Sequence, residues 1–381
     1  MPKINRLIIG VTFYYKKIMK AFKMRKKIVI IALILIFIGF FGRIINEAAK
    51  LSPIFFQYIF QKEIVLKKTE NRVNVLFLGI GGGKHDGPLL TDTIIYASID
   101  PVLQKTTLVS IPRDLWLPDL NAKINTAYSF GESKKKDSGL LLMKAAVEKI
   151  LNQPVDYVLR IDFNGFIRAI DLIGGIDVKI EKGFEDLEYP ISGKEIDDCG
   201  FAGLEFEKRA TSSAALEAFP CRYEHLIFKQ GVEHMDGSRA LKFVRSRHAI
   251  GSEGTDFARA RRQEIVIQAF KDKIFSLNIL LNPGKLLDLY GVFQDSIHTN
   301  IQQSEYDDFI KLAQKMKDAP TNSVVFFYSD PYSEKQGIFI NPPISEIYGN
   351  QWVLIPRTGN GNFSEVQKYI NCEIKIGNCP N

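Results

Sequence analysis

The spacing of apolar positions predicts alternating strands and helices from about residue 73. Short runs rich in β-branched and aromatic residues predict strands, and apolar residues three or four positions apart predict helices. The predicted strands are 73–78, 94–99, 107–111, 157–161 and 176–180, with further candidates at 324–328 and 352–355. The predicted helices are 140–151, 163–172, 237–243, one from 256 and a last one at 303–316. This alternation favours an α/β fold, in which helices cover both faces of a sheet.

The first 45 residues have a different pattern. Residues 1–27 carry nine Lys or Arg and no acid, and residues 28–42 carry no charge at all. Because the flanking basic side chains can snorkel, the stretch 28–45 is long enough for one transmembrane helix. The basic tail is then expected to be cytoplasmic and the bulk of the chain extracytoplasmic. A cleaved signal peptide and a buried core helix are the alternatives.

The rest of the chain divides where the pattern changes. Residues 46–70 are interpreted as a membrane-proximal stem, and residues 71–320 as one large α/β domain. An irregular insertion is expected at about 181–230. A C-terminal extension, 321–381, is expected to pack on the domain or to continue it.

Net charge argues against nucleic acid as a partner. The chain of 381 residues has a formal net charge of +7, but the basic tail alone contributes +9. The remaining residues therefore sum to −2, without the basic surface that phosphate-backbone binding requires.

The four cysteines form two close pairs, Cys199 with Cys221 and Cys372 with Cys379. An even number in short, loop-rich stretches predicts disulfides in an oxidising compartment. Free thiols are one alternative. A zinc site in which His225, or His234 beyond it, joins the first pair is another, although neither pair has CxxC spacing.

Arginines are concentrated near residue 250. On the helix predicted from 256, Arg259, Arg262 and Gln263 share one face, and Arg245 and Arg247 come shortly before it. Like charges so close together repel one another unless an anion compensates them, and a guanidinium group fits phosphate oxygens. The cluster therefore predicts a phosphate or pyrophosphate site. The alternative is an exposed basic face paired with nearby acids.

Ordered sequence blocks accompany this cluster. They are Asn74–Gly79, Thr91–Ile94, Ser110–Asp114, Lys123–Tyr128, Asp162–Phe166, Gly174–Val178, Met235–Leu241 and Val244–Gln263. In this order they resemble blocks of the LytR-CpsA-Psr family of cell-envelope phosphotransferases, including "SIPRD", "KINAAY" and "VRSRH…DFGRxxRQQ". The resemblance runs from about 73 to 270. It implies a three-layer α/β/α sandwich with a central mixed sheet.

The resemblance also implies an enzyme that moves a glycopolymer from a polyprenyl-pyrophosphate carrier to a cell-wall sugar hydroxyl. The positions that match the family's pyrophosphate contacts are Arg113, Arg245, Arg247, Arg259 and Gln263, and Lys123 and Arg262 are further substrate-binding candidates. Asp114 and Asp92 are candidate general bases. A non-catalytic polyprenyl-pyrophosphate binding protein and a pyrophosphatase are the alternatives. A transcriptional attenuator is less favoured.

Members of this family hold Mg²⁺ on two aspartates, and here the sequence departs from their pattern. Asp92 matches one ligand, but Gly81 stands where the second is expected. We hypothesise that Asp86, with or without His85, replaces it from a glycine-rich loop. Carboxylate oxygens suit this ion. The alternative is that Asp86 only makes a turn.

Overall fold

A computed structural model describes residues 63–83, 87–211, 215–274, 283–326, 328–329 and 337–379. Within these ranges, no helix combines the length and the apolar character that crossing a membrane requires. The predicted basic tail, the predicted transmembrane helix and the first part of the predicted stem lie outside the described residues.

Strands and helices alternate, as the apolar pattern predicts. The strands are β1 (Val73–Ile80), β2 (Thr91–Asp100), β3 (Lys105–Ser110), β4 (Trp116–Leu117), β5 (Ala122–Lys123), β6 (Tyr157–Asp162), β7 (Ile176–Ile180), β8 (Phe184–Pro190), β9 (Tyr223–Phe228), β10 (Gly231–Met235), β11 (Ile297–Thr299), β12 (Thr321–Val325), β13 (Tyr328–Ser329), β14 (Phe339–Ile340) and β15 (Ile355–Pro356). The helices are α1 (Ala127–Lys134), α2 (Gly139–Leu151), α3 (Phe163–Leu172), α4 (Gly203–Ala210), α5 (Ala215–Ala218), α6 (Gly237–Arg245), α7 (Asp256–Ile274), α8 (Pro283–Ser296), α9 (Tyr306–Lys315) and α10 (Ser364–Lys375).

Aspartates fix where two helices near the arginines begin. The Asp162 carboxylate accepts a hydrogen bond from the Gly165 backbone N–H at 2.8 Å, which caps α3. Asp236 accepts one from the Arg239 N–H at 2.7 Å and caps α6, as the sequence predicts. Such caps satisfy backbone donors that a helix leaves unpaired at its first turn.

Six strands form the main sheet, in the order β11-β6-β1-β2-β3-β12. β1 runs parallel to β6 and antiparallel to β2, and β3 runs antiparallel to β2 and parallel to β12. The sheet is therefore mixed, and the carboxyl ends of β1, β3, β6 and β12 lie at one edge, called here the carboxyl edge. Ligands of open α/β sheets bind beyond this edge.

Helices cover both faces of the sheet. On one face, Leu76 of β1 shares a buried cluster with Met143 of α2 and Ile370 of α10. On the other face, Val75 of β1 shares a cluster with Leu312 of α9. Neighbouring residues of β1 thus point to opposite helical layers, as the alternation of side chains along a strand requires. The mixed sheet with flanking helices confirms the predicted α/β class.

The segment at about 181–230 is more regular than the sequence predicts. β7 pairs with β10 and β8 pairs with β9, so the chain leaves and returns through two antiparallel ladders. α4 and α5 lie between β8 and β9. The strand β8 escapes prediction because its buried positions, Phe184, Asp186 and Tyr189, include an acid and are not evenly spaced.

Residues after 320 also differ from the prediction. The strand expected at 324–328 is β12, which begins at Thr321 and joins the main sheet beside β3. The helix predicted at 303–316 is α9, but it is not the last one, because α10 follows it. Buried Val366, Ile370 and Ile374 recur every four residues along α10 and face the core.

Both predicted cysteine pairs are joined as disulfides. The Cα–Cα distance is 5.5 Å for Cys199 and Cys221, and 6.1 Å for Cys372 and Cys379. Oxidation removes the thiolates that a zinc site would use. His225 instead has its ring nitrogen 3.0 Å from a glutamate carboxylate. The pairing agrees with an oxidising compartment.

Candidate anion-binding site

A β-bulge at the start of β2 sets the position of Asp92. Gly79 pairs with Thr93 and Ile80 pairs with Thr91, so Asp92 is an extra residue between two consecutive pairs. Bulges of this kind re-aim side chains at strand ends, often beside functional sites. Asp92 therefore lies at the carboxyl edge, outside the regular alternation of the strand.

The threonines on either side of the bulge contact different parts of the protein. The Thr91 hydroxyl donates to the backbone oxygen of Asn125 at 3.2 Å. The Thr93 hydroxyl accepts a hydrogen bond from Nε2 of Gln263 at 3.2 Å. The second contact brings α7, and with it the predicted Gln263, to the start of β2.

Arg113 follows β3 at the same edge and lies between two carboxylates. Its Nη1 donates to Oδ1 of Asp92, and its Nε is 3.4 Å from Oδ2 of Asp114. Lys123 donates from Nζ to the other oxygen of Asp114 at 2.7 Å. These four groups form a chain of alternating charge. Lys123 thus acts on Arg113 through a shared carboxylate.

Arg245, the last residue of α6, lies against aromatic rings. Its guanidinium carbon is 4.3 Å from the ring centroid of Phe163, which directly follows β6, and 6.0 Å from that of Tyr189. Cation–π contacts hold such a group while its in-plane N–H donors remain directed away from the ring. Burial raises the pKa of Tyr189, and the charge of Arg245 opposes this rise.

The turn after α6 carries Arg247, which is exposed. Its backbone N–H donates to Oδ2 of Asp186 at 3.2 Å, and the N–H of His248 donates to the same oxygen at 3.3 Å. The Ser246 hydroxyl donates to it at 2.5 Å. A single buried carboxylate therefore fixes the backbone of the turn that places Arg247.

Arg262 is only 3% exposed, and its donors are used inside the protein. It donates to the backbone oxygens of Phe243 at 3.0 Å, Ser246 at 2.7 Å and Glu253 at 2.9 Å. Burial lowers the pKa of Arg262 to about 10, and the Glu253 carboxylate opposes this shift. This placement favours a supporting role over the predicted substrate contact, because the guanidinium group holds the end of α6 from within. Arg259 is partly exposed one turn earlier on α7.

The glycine-rich loop after β1 passes close to the end of β6. Gly82 has φ +66°, and a Cβ there would lie 2.8 Å from Cβ of Asp162. Its backbone N–H donates to the Pro88 oxygen at 2.9 Å, which closes the loop. The hypothesised ligands Asp86 and His85 lie outside the described residues, so the replacement of the missing family ligand stays a prediction.

Sequence reasoning does not select three residues that the structure places around the arginines. Thr93 directly follows Asp92 and belongs to the sequence block Thr91–Ile94, so the block itself indicated this part of the site. Asp186 and Tyr189 lie in the insertion, and Asp186 is 60 residues from the hydroxyl that it holds. No local pattern connects positions that far apart.

Contacts of Arg113, Arg245 and Gln263 with residues at the carboxyl edge of a mixed sheet define an α/β protein with a candidate site for a phosphate-bearing anion. The chain belongs to the LytR_cpsA_psr family, whose sequence profile matches residues 47–337.

Curated relatives include the polyisoprenyl-teichoic acid–peptidoglycan teichoic acid transferases TagU of Bacillus cereus and Oceanobacillus iheyensis. The first is 28% identical over 255 residues, which are 66% of this chain and 67% of the relative. The second is 31% identical over 236 residues, or 61% of each chain. Among solved structures, TagV of B. subtilis is 24% identical, with a TM-score of 0.50 over 81% of this chain and 98% of that chain. This likeness shows the shared fold.

Proposed function

We propose that this protein is a phosphotransferase that moves a glycopolymer from a polyprenyl-pyrophosphate carrier to a sugar hydroxyl of the cell wall. One observation carries the proposal. Arg113, Arg245 and Gln263 come from three separate segments, and each contacts a residue at the carboxyl edge, which is Asp92, Phe163 and Thr93 respectively. The names of the TagU relatives agree with this class of donor and acceptor.

The proposed reaction is an attack by a sugar hydroxyl on the phosphorus that carries the glycan. A new P–O bond forms to that hydroxyl oxygen, and the bond between this phosphorus and the bridging oxygen breaks. Polyprenyl phosphate leaves, and the proton of the hydroxyl passes to a base. Phosphoryl transfer depends mainly on stabilising charge, which is the contribution proposed for Arg113, Arg245, Arg247, Arg259 and Gln263.

Two carboxylates remain the candidates for the base, and both are in ion pairs. Asp92 accepts from Arg113, and Asp114 accepts from Lys123 and lies beside Arg113. Asp92 has a side chain that is 38% exposed, against 12% for Asp114. Asp92 is thus the more accessible of the two, but it is also the proposed Mg²⁺ ligand, so both carboxylates stay candidates for the base.

Mg²⁺ is part of the proposal, with Asp92 and Asp86 as its protein ligands. The site suits a hard cation, because the Asp92 carboxylate is partly exposed at the edge and offers an oxygen besides the one that Arg113 contacts. When bound, the ion would offset charge on pyrophosphate oxygens. Asp86→Ala is then expected to abolish the Mg²⁺-dependent activity. If dependence and activity both survive, the replacement hypothesis is wrong.

The proposal includes a membrane anchor, because the lipid carrier of the donor lies in a bilayer. Residues 28–45 are proposed to span the membrane once, with residues 1–27 in the cytoplasm and the described domain on the outer side. The two disulfides support an extracytoplasmic location.

The test uses the full chain in phospholipid vesicles with a short polyprenyl pyrophosphate that carries a glycan, and with a wall-sugar acceptor. Transfer of the glycan phosphate to the acceptor, and its release into water, are measured with Mg²⁺ and with a chelator. We expect Mg²⁺-dependent turnover that Arg245→Ala lowers by roughly 10²–10³-fold, as loss of a charge-stabilising donor does. Arg168→Ala, in an exposed ion pair with Asp295, is the matched control and should change little.

Three other outcomes separate the alternatives. Release of phosphate without transfer, when acceptor is present, would indicate a pyrophosphatase. Binding without any turnover would favour a non-catalytic carrier. Equal turnover of the parent and Arg245→Ala would refute the proposed site.

A further inference from the structure

Two buried side chains of β8 contact the segment that carries the arginines. Asp186 and Tyr189 are three residues apart, a spacing that puts side chains on opposite faces of a regular strand. Here Asp186 pairs with Leu226 while Tyr189 pairs with Glu224, so β8 has one extra residue against β9. This bulge returns both side chains to the inner face, where they are 0% and 6% exposed.

Asp186 uses both of its oxygens. Oδ1 accepts from the Glu188 N–H at 3.0 Å, within β8 itself. Oδ2 accepts from the Ser246 hydroxyl and from the N–H groups of Arg247 and His248. Hydrogen bonds to an ionised acceptor are stronger than neutral ones. The carboxylate thereby ties the inserted segment to the backbone of the arginine turn.

Tyr189 adds a second contact, on the side of Arg245. Its ring and that of Phe163 both lie within 6.0 Å of the Arg245 guanidinium carbon. Phe163 is the first residue of α3, directly after β6 of the main sheet, whereas Tyr189 belongs to the insertion. Arg245 is therefore held between the start of α3, beside the main sheet, and the inserted strand β8.

We propose that β8, in the insertion at about 181–230, is a positioning element for Arg245 and Arg247, and that Asp186 is its principal positioning residue for pyrophosphate binding. This inference rests on the proposed function, since it assigns a role at the same site. It also assigns a role to β8, the strand with which the insertion begins.

The test measures binding of inorganic pyrophosphate to the detergent-solubilised full chain by titration calorimetry. Asp186→Asn keeps the shape of the side chain and removes its charge. Glu185→Gln is the matched control, because Glu185 is the adjacent acid, exposed on the outer face, where it contacts His225. Asp186→Asn is expected to weaken binding about tenfold, equivalent to losing one charge-assisted hydrogen bond, and the control to leave it unchanged.

Hydrogen exchange supplies a readout that distinguishes positioning from general stability. In Asp186→Asn, the amides of Arg247 and His248 should exchange faster, while those of β1 and β2 keep the parent's rates. If Asp186→Asn does not fold, Ser246→Ala removes one of the three bonds to Oδ2 and should give a smaller change of the same kind.

The outcomes are distinguishable. If the parent does not bind pyrophosphate, the proposed function fails. If the parent binds, and Asp186→Asn binds equally well although its turn amides exchange faster, the positioning role is refuted. Weaker binding together with faster exchange confined to the turn supports it.

Discussion

Replacing the buried Arg262 tests whether this residue supports the site or binds the substrate. Arg262→Met keeps the length of the side chain and removes every donor. The backbone oxygens of Phe243, Ser246 and Glu253 then lose their partner, and the Glu253 carboxylate loses a contact at 3.3 Å. A buried acceptor left without a donor costs about 1–3 kcal/mol, and a broken buried ion pair about 3–5 kcal/mol.

These contributions are not additive, and the variant no longer buries a charged group. The Glu253 side chain is also 20% exposed and can regain water. We therefore expect Arg262→Met to lower the free energy of unfolding by about 3 kcal/mol. Arg262→Lys retains the charge but has one nitrogen in place of three, so about half of that loss is expected.

The assay is urea unfolding followed by tryptophan fluorescence, with pyrophosphate titration of the folded protein beside it. Arg261→Met is the matched control, because Arg261 is the exposed neighbour that pairs with Glu181 on the surface. Its loss should cost under about 1 kcal/mol. If Arg262→Met unfolds at the parent's urea concentration and yet loses pyrophosphate binding, the supporting role is wrong and Arg262 is a substrate contact.

Three further predictions concern neighbouring features. Burial raises the pKa of Glu264 above its usual 4.5, opposed by a Ser323 hydrogen bond. The folded state then binds more protons than the unfolded state, so stability should fall as the pH rises from 4.5 through the raised pKa. Urea unfolding should accordingly show Glu264→Gln more stable than the parent at pH 7, with a gap that closes towards pH 4.5; a constant gap would contradict this. Replacing both Cys199 and Cys221 by Ala opens a cross-link spanning 22 residues and should lower the free energy of unfolding by about 3 kcal/mol. Proteolysis of the segment between the two positions should become faster, while pyrophosphate binding is retained. Gly82→Ala places a side chain on a residue with a left-handed backbone conformation. This should destabilise the folded state by about 1–2 kcal/mol and lower the thermal midpoint of unfolding.

The sequence predicts those elements whose signals are local. β1 reads as a strand because nearly every position is apolar, as expected of a strand buried on both faces, and the cap of α6 is visible as Asp236 at a helix start. α10 escapes prediction because its polar residues outnumber the buried Val366, Ile370 and Ile374. The register that carries β12 to the edge of the sheet depends on pairing with a strand some 200 residues earlier, which no local pattern contains.

The arginine cluster shows the same division between local and distant information. That Arg259, Arg262 and Gln263 share a helix face follows from spacing alone. The spacing does not predict that these three side chains differ in burial, with Arg262 buried and Arg259 and Gln263 partly exposed. Arg262 donates hydrogen bonds to backbone oxygens at the end of α6, whereas Gln263 donates one to the Thr93 hydroxyl on β2. Positive charge on a helix face predicts an anion site near that helix, but tertiary packing determines which of its side chains are accessible to the anion.

Asp92 and Asp186 both lie at bulges, and this explains why alternation along the strands does not reveal them. Asp92 is the extra residue of β2 opposite Gly79 and Ile80. Asp186 lies at the start of the irregular stretch of β8. A bulge shifts the side-chain register by one, so it exchanges inward and outward positions beyond it. In a regular β8, Tyr189 would face away from Asp186, and Arg245 would lose its contact with the Tyr189 ring while keeping the one with Phe163. The proposed arginine site therefore depends on two local departures from strand geometry, one in β2 and one in β8.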